Sequence, residues 1–275
     1  MKDSEKENKK PWPIYGHGLL LVLWLSPIAV LFLWSIAAQW SWPSLWPQHY
    51  SLRGWHYFFS GGSQGLETLV KSIGLSLGVT FFALLISLPA AKALAFYEFK
   101  GKKWVEKLIF APLIIPMVSV SMGLHLQFIK MNMANTYWGV GLIQLVPCMP
   151  YTIRLLQHVF ELTGKQLEEQ ARVLGASSLQ IWMQITWPQI LPGLVAASCM
   201  AFLISFSQYF LTYLIGGGQV ITFTMQMFPY IQSGDRHMGA VYSIIFIGVT
   251  WGILRLMTAI LTKAYRDQDM WMPLD

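Results

Sequence analysis

The sequence predicts an all-α, polytopic membrane protein with about six transmembrane helices, and three observations lead there. Hydrophobic residues fill 55% of its 275 positions while charged residues fill 12%, against about 25% charged in an average globular domain. Six mostly apolar segments each reach the length of about 20 residues that a helix needs to cross a bilayer. The basic residues, which give a net charge of +6, gather in alternate connecting segments, a distribution that orients a membrane chain. The same clustering, with no basic groove carrying interleaved aromatics, excludes a nucleic-acid binder.

The first segment, Gly18–Ala38, follows a lysine-containing tail at residues 1–17. Its apolar region is too long for a secretory leader, and further spans follow it, so it reads as a retained helix. Next comes Trp40–Phe59, crowded with Trp and Tyr. Such rings favour the headgroup layer, with the apolar body buried and the polar tip wet; an aromatic ligand cage is the sharper reading. The remaining spans are Ser72–Tyr97, Leu108–Phe128, Trp138–Phe160, Gly193–Ile215 and Met238–Leu261. Prolines at 27, 89, 112, 116, 147 and 150 interrupt several of them, a pattern that membrane helices tolerate where neighbours satisfy the freed backbone groups. Residues 18–262 thus form one transmembrane domain, and residues 263–275 a second tail. With the N-terminus in the cytoplasm, only Arg53, Lys71, Lys130 and Arg236 of the 19 basic residues fall outside. Both termini are therefore expected in the cytoplasm.

Between the fourth and fifth spans lies a polar insert, at about residues 161–192, on the same cytoplasmic side. Leu167, Ala171 and Leu174 fall at helical spacing among Lys165, Glu168, Glu169 and Arg172. Gly175 suits a left-handed helix cap, and Ser177 and Ser178 can cap a second helix. Leu179, Trp182, Met183 and Ile185 give that helix its own apolar stripe. Pro188 is expected to end it, with Pro192 near the first turn of the next span. The expectation is a helix–turn–helix knob on the cytoplasmic face.

At this insert the chain resembles the permease subunits of binding-protein-dependent ABC importers. Their motif is Glu-Ala-Ala, three residues, Gly, nine residues, Ile, one residue, Leu-Pro. Here Glu169-Gln170-Ala171 is followed by Gly175 and then by Ile185-Thr186-Trp187-Pro188 at the same spacing. Gln170 stands where the family has Ala, and Trp187 where it has Leu; neither departure breaks the helix–Gly–helix plan. The resemblance runs from about Leu66 to Lys263 and implies the type I importer permease fold. It implies that Glu169, Ala171, Gly175, Ile185 and Pro188 shape a coupling element docked on a cytoplasmic ATPase. It further implies a bacterial inner membrane location and four kinds of partner: an ATPase dimer, a second permease, identical or related, an extracytoplasmic binding protein and a small solute. ATP would be bound by the partner ATPase, with no cofactor on this chain and no enzymatic step of its own. The pattern looks closest to permeases for polyamines, thiamine and ferric iron. Some polyamine permeases carry acidic residues in the fifth span where this chain has Ser207-Gln208, which weakens a polyamine assignment.

No G-x-x-x-x-G-K-[ST] occurs, so no phosphate-cradling loop is expected. Leu214–Gln219, LIGGGQ, reads as a flexible outer loop. Cys148 and Cys199 lie in apolar runs and read as small buried hydrophobes, and the six histidines are scattered, with no H-E-x-x-H or G-x-S-x-G motif. Polar residues at membrane depth mark a pathway or hold helices together. Ser205, Ser207 and Gln208 in the fifth span, Gln144 in the fourth and Gln127 in the third stand open to both readings. Asp235 fits either a cap on the last span or a contact with a docked binding protein. The competing function is a secondary transporter driven by an ion gradient, which membrane-embedded carboxylates or inverted repeats would favour. The acidic residues lie mainly in tails and loops, and the halves show no self-similarity. An intramembrane enzyme lacks its catalytic motif.

Overall fold

The computed structural model describes residues 14–41, 43–60 and 63–269. Helix α1 (Ile14–Ile36) leads into an antiparallel pair of short strands, β1 (Ala37–Gln39) and β2 (His49–Tyr50), and then α2 (Arg53–Phe59). Four helices follow: α3 (Gly65–Phe96), α4 (Lys102–Ile114), α5 (Met117–Lys130) and α6 (Tyr137–Thr163). The insert holds α7 (Gln166–Val173) and α8 (Ser178–Gln180). A π-helical turn (Ile181–Thr186) then passes without a break into α9 (Trp187–Phe206). The chain finishes with α10 (Phe210–Gly216), α11 (Phe223–Gln232) and α12 (Arg236–Asp269).

Four helices are long and apolar enough to cross a membrane: Gly65–Phe96, Tyr137–Thr163, Ser178–Phe206 and Arg236–Ile260. Leu20–Ile36 of α1 adds a shorter apolar helix, and α4 with α5 forms a pair bent by 106°. Contacts fix their directions. Phe96 meets Phe160 edge-on at 5.5 Å, so α3 and α6 run the same way and end on the face that carries the insert. The bent α4–α5 pair therefore brings the chain back to the far face. Gly193 of α9 backs onto Val159 of α6, and Ser205 bonds Gln144, which makes α9 antiparallel to α6. With the bent pair taken as one span and the shorter α1 added, the helices are roughly consistent with the six spans that the hydropathy pattern predicts.

Small side chains let these helices approach closely, as is usual where lipid supplies no hydrophobic drive between helices. Ala83, Ala91, Ala197 and Ala201 are fully buried between α3, α6 and α9. A Cβ on Gly193 would run into Val159. Polar bonds cross the same seams: Ser87 with Thr152 at 2.5 Å joins α3 to α6, and Gln144 with Thr212 at 2.8 Å joins α6 to α10. On the far half, Phe58, Phe202, Phe206, Phe223 and Tyr242 build an aromatic core.

Several expectations need correction. The third span is not one helix. Pro112 and Pro116 remove backbone donors, and Ile115, the residue before a proline, takes extended backbone at φ −80° and ψ 123°. The fifth span unwinds at residues 207–209, where Thr212 and Thr224 hydroxyls take the freed carbonyl of Gln208 at 3.0 and 3.3 Å. Pro188 does not end the second insert helix. The π turn widens the helix just before the proline, and a single rod continues into the membrane. The aromatic segment Trp40–Phe59 contains β2, which pairs back onto β1, and α2, which plugs Phe58 into the far-side core. Leu214–Gln219 is not a free loop: α10 runs to Gly216, and Gly217 turns against Asn135, whose N–H donates to the Ile215 carbonyl at 2.7 Å. Helix α11 was not foreseen. Helix α1 is described from Ile14 and α12 as far as Asp269. Residues 1–13 and 270–275 of the two tails lie outside the described residues. Asp235 does cap α12, accepting the Met238 N–H at 3.1 Å.

Candidate coupling insert and membrane cleft

The insert turns at Gly175, with φ at +87°. Two backbone bonds close the end of α7 there: Ala176 N–H donates to Ala171 O at 3.0 Å and Gly175 N–H to Arg172 O at 3.1 Å. This pair is a Schellman closure, which demands the left-handed residue that glycine takes without penalty. A reciprocal box starts the next helix, with the Ser177 hydroxyl accepting the Gln180 N–H and the Gln180 side chain accepting the Ser177 N–H. The turn presents Val173 and Leu174, each 87% exposed, beside exposed Leu179 and Met183.

The root of the insert is tied down by Glu168. Its carboxylate accepts from Lys92 of α3 at 2.8 and 2.9 Å and from the Thr186 hydroxyl of the π turn at 2.6 Å. Partial burial pushes the Glu168 carboxyl up, but the donors Lys92 and Thr186 and the nearby positive charge outweigh it and hold the carboxyl below its ordinary value. The Lys92 ammonium also lies over the Trp182 ring at 5.4 Å, and Lys165 lies over Tyr97 at 4.8 Å. Three elements therefore meet at one carboxylate.

The expected coupling residues fall around this hub without all joining it. Glu169 points outward and is exposed; Ala171 and Ile185 are half-buried, and Pro188 sits at the start of α9. Glu168 was named in the sequence only as a neighbour of the apolar spacing. The available signal was Lys92, a cation inside the apolar run SLPAAKALAF, which called for a carboxylate partner.

The pathway candidates divide into two sets. Gln144 and Ser205 are buried and bonded across helices: Ser205 donates to Gln144 Oε1 at 2.6 Å, and Gln144 donates to Thr212 at 2.8 Å. They act as glue between α6, α9 and α10. Ser207 and Gln208, at the unwound step after α9, instead line a cleft of about 300 Å³. Opposite them stand Pro112, Leu113 and Met117 around the α4–α5 bend, with Pro147 and Tyr151 of α6. The cleft thus collects the helix breaks, and its polar groups are hydroxyl, amide and phenol. Gln127 is exposed on α5 and joins neither set.

A family model described as "Binding-protein-dependent transport system inner membrane component" matches residues 13–266. A putative 2-aminoethylphosphonate transport system permease protein, PhnV, of Salmonella paratyphi A is 26% identical over 239 residues, covering 86% of this chain and 89% of that protein. The putrescine transport system permease protein PotI of Escherichia coli K12 is 24% identical, covering 82% of each chain. The molybdate/tungstate transport system permease protein WtpB of Pyrococcus abyssi is 26% identical over 204 residues, covering 72% of this chain and 79% of that one. Among solved structures, a chain of a bacterial ABC transporter involved in the import of the acidic polysaccharide alginate superimposes with a TM-score of 0.61. It is 17% identical, with 90% of this chain and 99% of that one covered.

Proposed function

This chain belongs to the family of binding-protein-dependent transport system inner membrane components, and from that premise we propose that its insert is the coupling element and its proline-lined cleft part of the solute pathway. As a permease subunit of an ABC importer it is a transport component of the inner membrane, and the family implies an ATPase and a substrate-binding protein as partners. Family membership replaces the ion-driven alternative.

One observation carries the coupling reading. The exposed apolar turn at Val173 and Leu174 leads through α8 and the π turn into α9, which ends at Ser207 and Gln208 on the cleft. A protein docked on the turn thereby has a continuous helix to the cleft. Glu169, Ala171, Gly175, Ile185 and Pro188 shape the docking element. Nucleotide binding closes the ATPases, the insert moves, and the cleft opens toward the binding protein; hydrolysis resets it. ATP is bound on the ATPase, and both termini face the cytoplasm with the insert. The second permease is a related chain or another copy of this one. The relatives are named for a phosphonate, a diamine and two oxyanions, so the solute's charge does not follow from likeness.

The test is a mild-detergent pull-down of the tagged chain, with mass spectrometry of what stays bound, compared with a variant whose Glu169–Pro188 segment is scrambled. An ABC ATPase retained by the natural chain and lost by the variant is the expected result. A folded natural chain that retains no ATPase would overturn the coupling reading.

A further inference from the structure

Arg154 is not used by anything described so far, and its position is unusual. It lies on α6, exposed, about 13 Å along the axis from the helix end at Thr163. Its guanidinium sits 6.0 Å from the centroid of Phe110 of α4, itself about 12 Å along α4 from Lys102. On α4, Phe110 lies one turn beyond Lys107, where the apolar run begins, so the charge sits at the insert-side edge of the apolar stretches, one turn from the cleft. It makes no ion pair among the described residues. A guanidinium at the edge of an apolar stretch reaches for water, a partner or a ligand.

The helical period puts Pro147, Tyr151, Arg154 and His158 on one side of α6. Pro147 and Tyr151 line the cleft with Ser207 and Gln208; Arg154 and exposed His158 continue the stripe toward the insert face. The cleft-lining residues include no carboxylate. We propose that this stripe is a water-filled, positively charged lane through which the permease passes a small oxyanion-bearing solute, with Arg154 as the group that attracts it. The proposal rests on the permease reading and adds the class of solute. Near the cleft, the donors of Gln208 and Tyr151 hold oxygen atoms, while the Ser207 hydroxyl donates to the Leu203 carbonyl at 2.8 Å. One turn toward the insert, Arg154 offers the planar fork that matches a carboxylate, phosphonate or similar oxyanion.

The test reads the local charge without knowing the solute. Tyr151→Cys is introduced into a chain carrying Cys148→Ala and Cys199→Ser, and the purified complex is placed in liposomes. The reaction rates of an anionic sulfonatoethyl and a cationic trimethylammonioethyl methanethiosulfonate are compared, each divided by its rate with a free thiol. The expected result is a preference for the anionic reagent of about fivefold or more. Arg154→Gln removes that preference and Arg154→Lys keeps it. Ser207→Cys provides a second reporter should Tyr151→Cys fold poorly. Reaction with neither reagent at either position overturns the proposal, because the stripe is then dry and faces lipid or another subunit. A preference unchanged by Arg154→Gln overturns it too. Failure of the permease reading shows separately, as the absence of an ATPase from the purified complex.

Discussion

At the scale of single residues, Gly175 and Glu168 carry opposite kinds of demand. Gly175 needs only its backbone: a Cβ there would meet nothing within 4 Å, yet φ is +87°. Gly175→Val therefore costs about 1–3 kcal/mol of local strain with no clash. Membrane insertion and helix content should stay normal while ATP-driven uptake is lost; normal uptake by that variant would sink the coupling role. Glu168 needs its partners. Its carboxyl is held below the ordinary value, so the link to Lys92 and Thr186 is complete above the unfolded pKa of about 4.3 and fades only as pH falls through the lower folded value. Coupling measured between about pH 6 and pH 8 should show no titration of this group. Glu168→Gln removes a charged hydrogen bond that is only partly shielded from water, for a loss of about 1 kcal/mol. The expected readout is weaker stimulation of the ATPase by loaded binding protein, with the complex still assembled. The spacing motif marked Glu169 and passed over Glu168, because a motif records positions along the chain, whereas Lys92 and Thr186 come from other elements and meet only when folded.

At the scale of elements, Gly193 shows how tightly the spans are set. Gly193→Val would force branched carbons into Val159, and overpacking of that kind costs about 1–3 kcal/mol. A lower melting temperature by fluorescence-monitored size exclusion checks it, with Val159→Ala expected to restore part of the loss. The crossings were legible because apolar length is a property of each segment by itself. The Gly175 cap and the Ser177 cap were legible because both are local, though the reciprocal bond from Gln180 was not read. The breaks were not. Prolines at 112, 116 and 147 read alike as tolerated interruptions, although the first two flank a 106° bend and the third sits inside an unbroken helix. What separates them in the structure is the extended backbone at Ile115, before Pro116, against a continuous helix through Pro147. The unwound step at Ser207 has no proline at all, and depends on hydroxyls of Thr212 and Thr224. Pro188 misled in the other direction, since a π turn absorbed it.

At the scale of the whole molecule, the breaks and the insert form one arrangement. The cleft lies where α4–α5, α6 and α9–α10 are interrupted, and the hub at Glu168 lies where α3, α7 and the π turn meet. Filling the cleft should separate transport from assembly. Ser207→Trp is expected to cut uptake at least about tenfold, because a side chain of that size occupies most of a cleft this small. ATPase and partner subunits should still co-purify, and near-normal uptake would place the pathway elsewhere. Of the pathway residues singled out in the sequence, Ser207 and Gln208 reach the cleft, while Gln144 and Ser205 serve as glue. Polarity at membrane depth fits both a cleft lining and a bond between helices, and only the fold shows which placement each residue takes. The α4–α5 bend has a further consequence for how the chain enters the bilayer. Helices of 13 and 14 residues extend only about 20 Å each, short of a hydrocarbon layer of about 30 Å. Neither half is a self-sufficient insertion signal. Integration of this pair at the translocon must wait for α6 and the later helices to emerge. A nascent chain truncated after Met131 should fail to deliver a glycosylation tag at its end to the far side, whereas the full chain, tagged in the loop before Tyr137, should succeed.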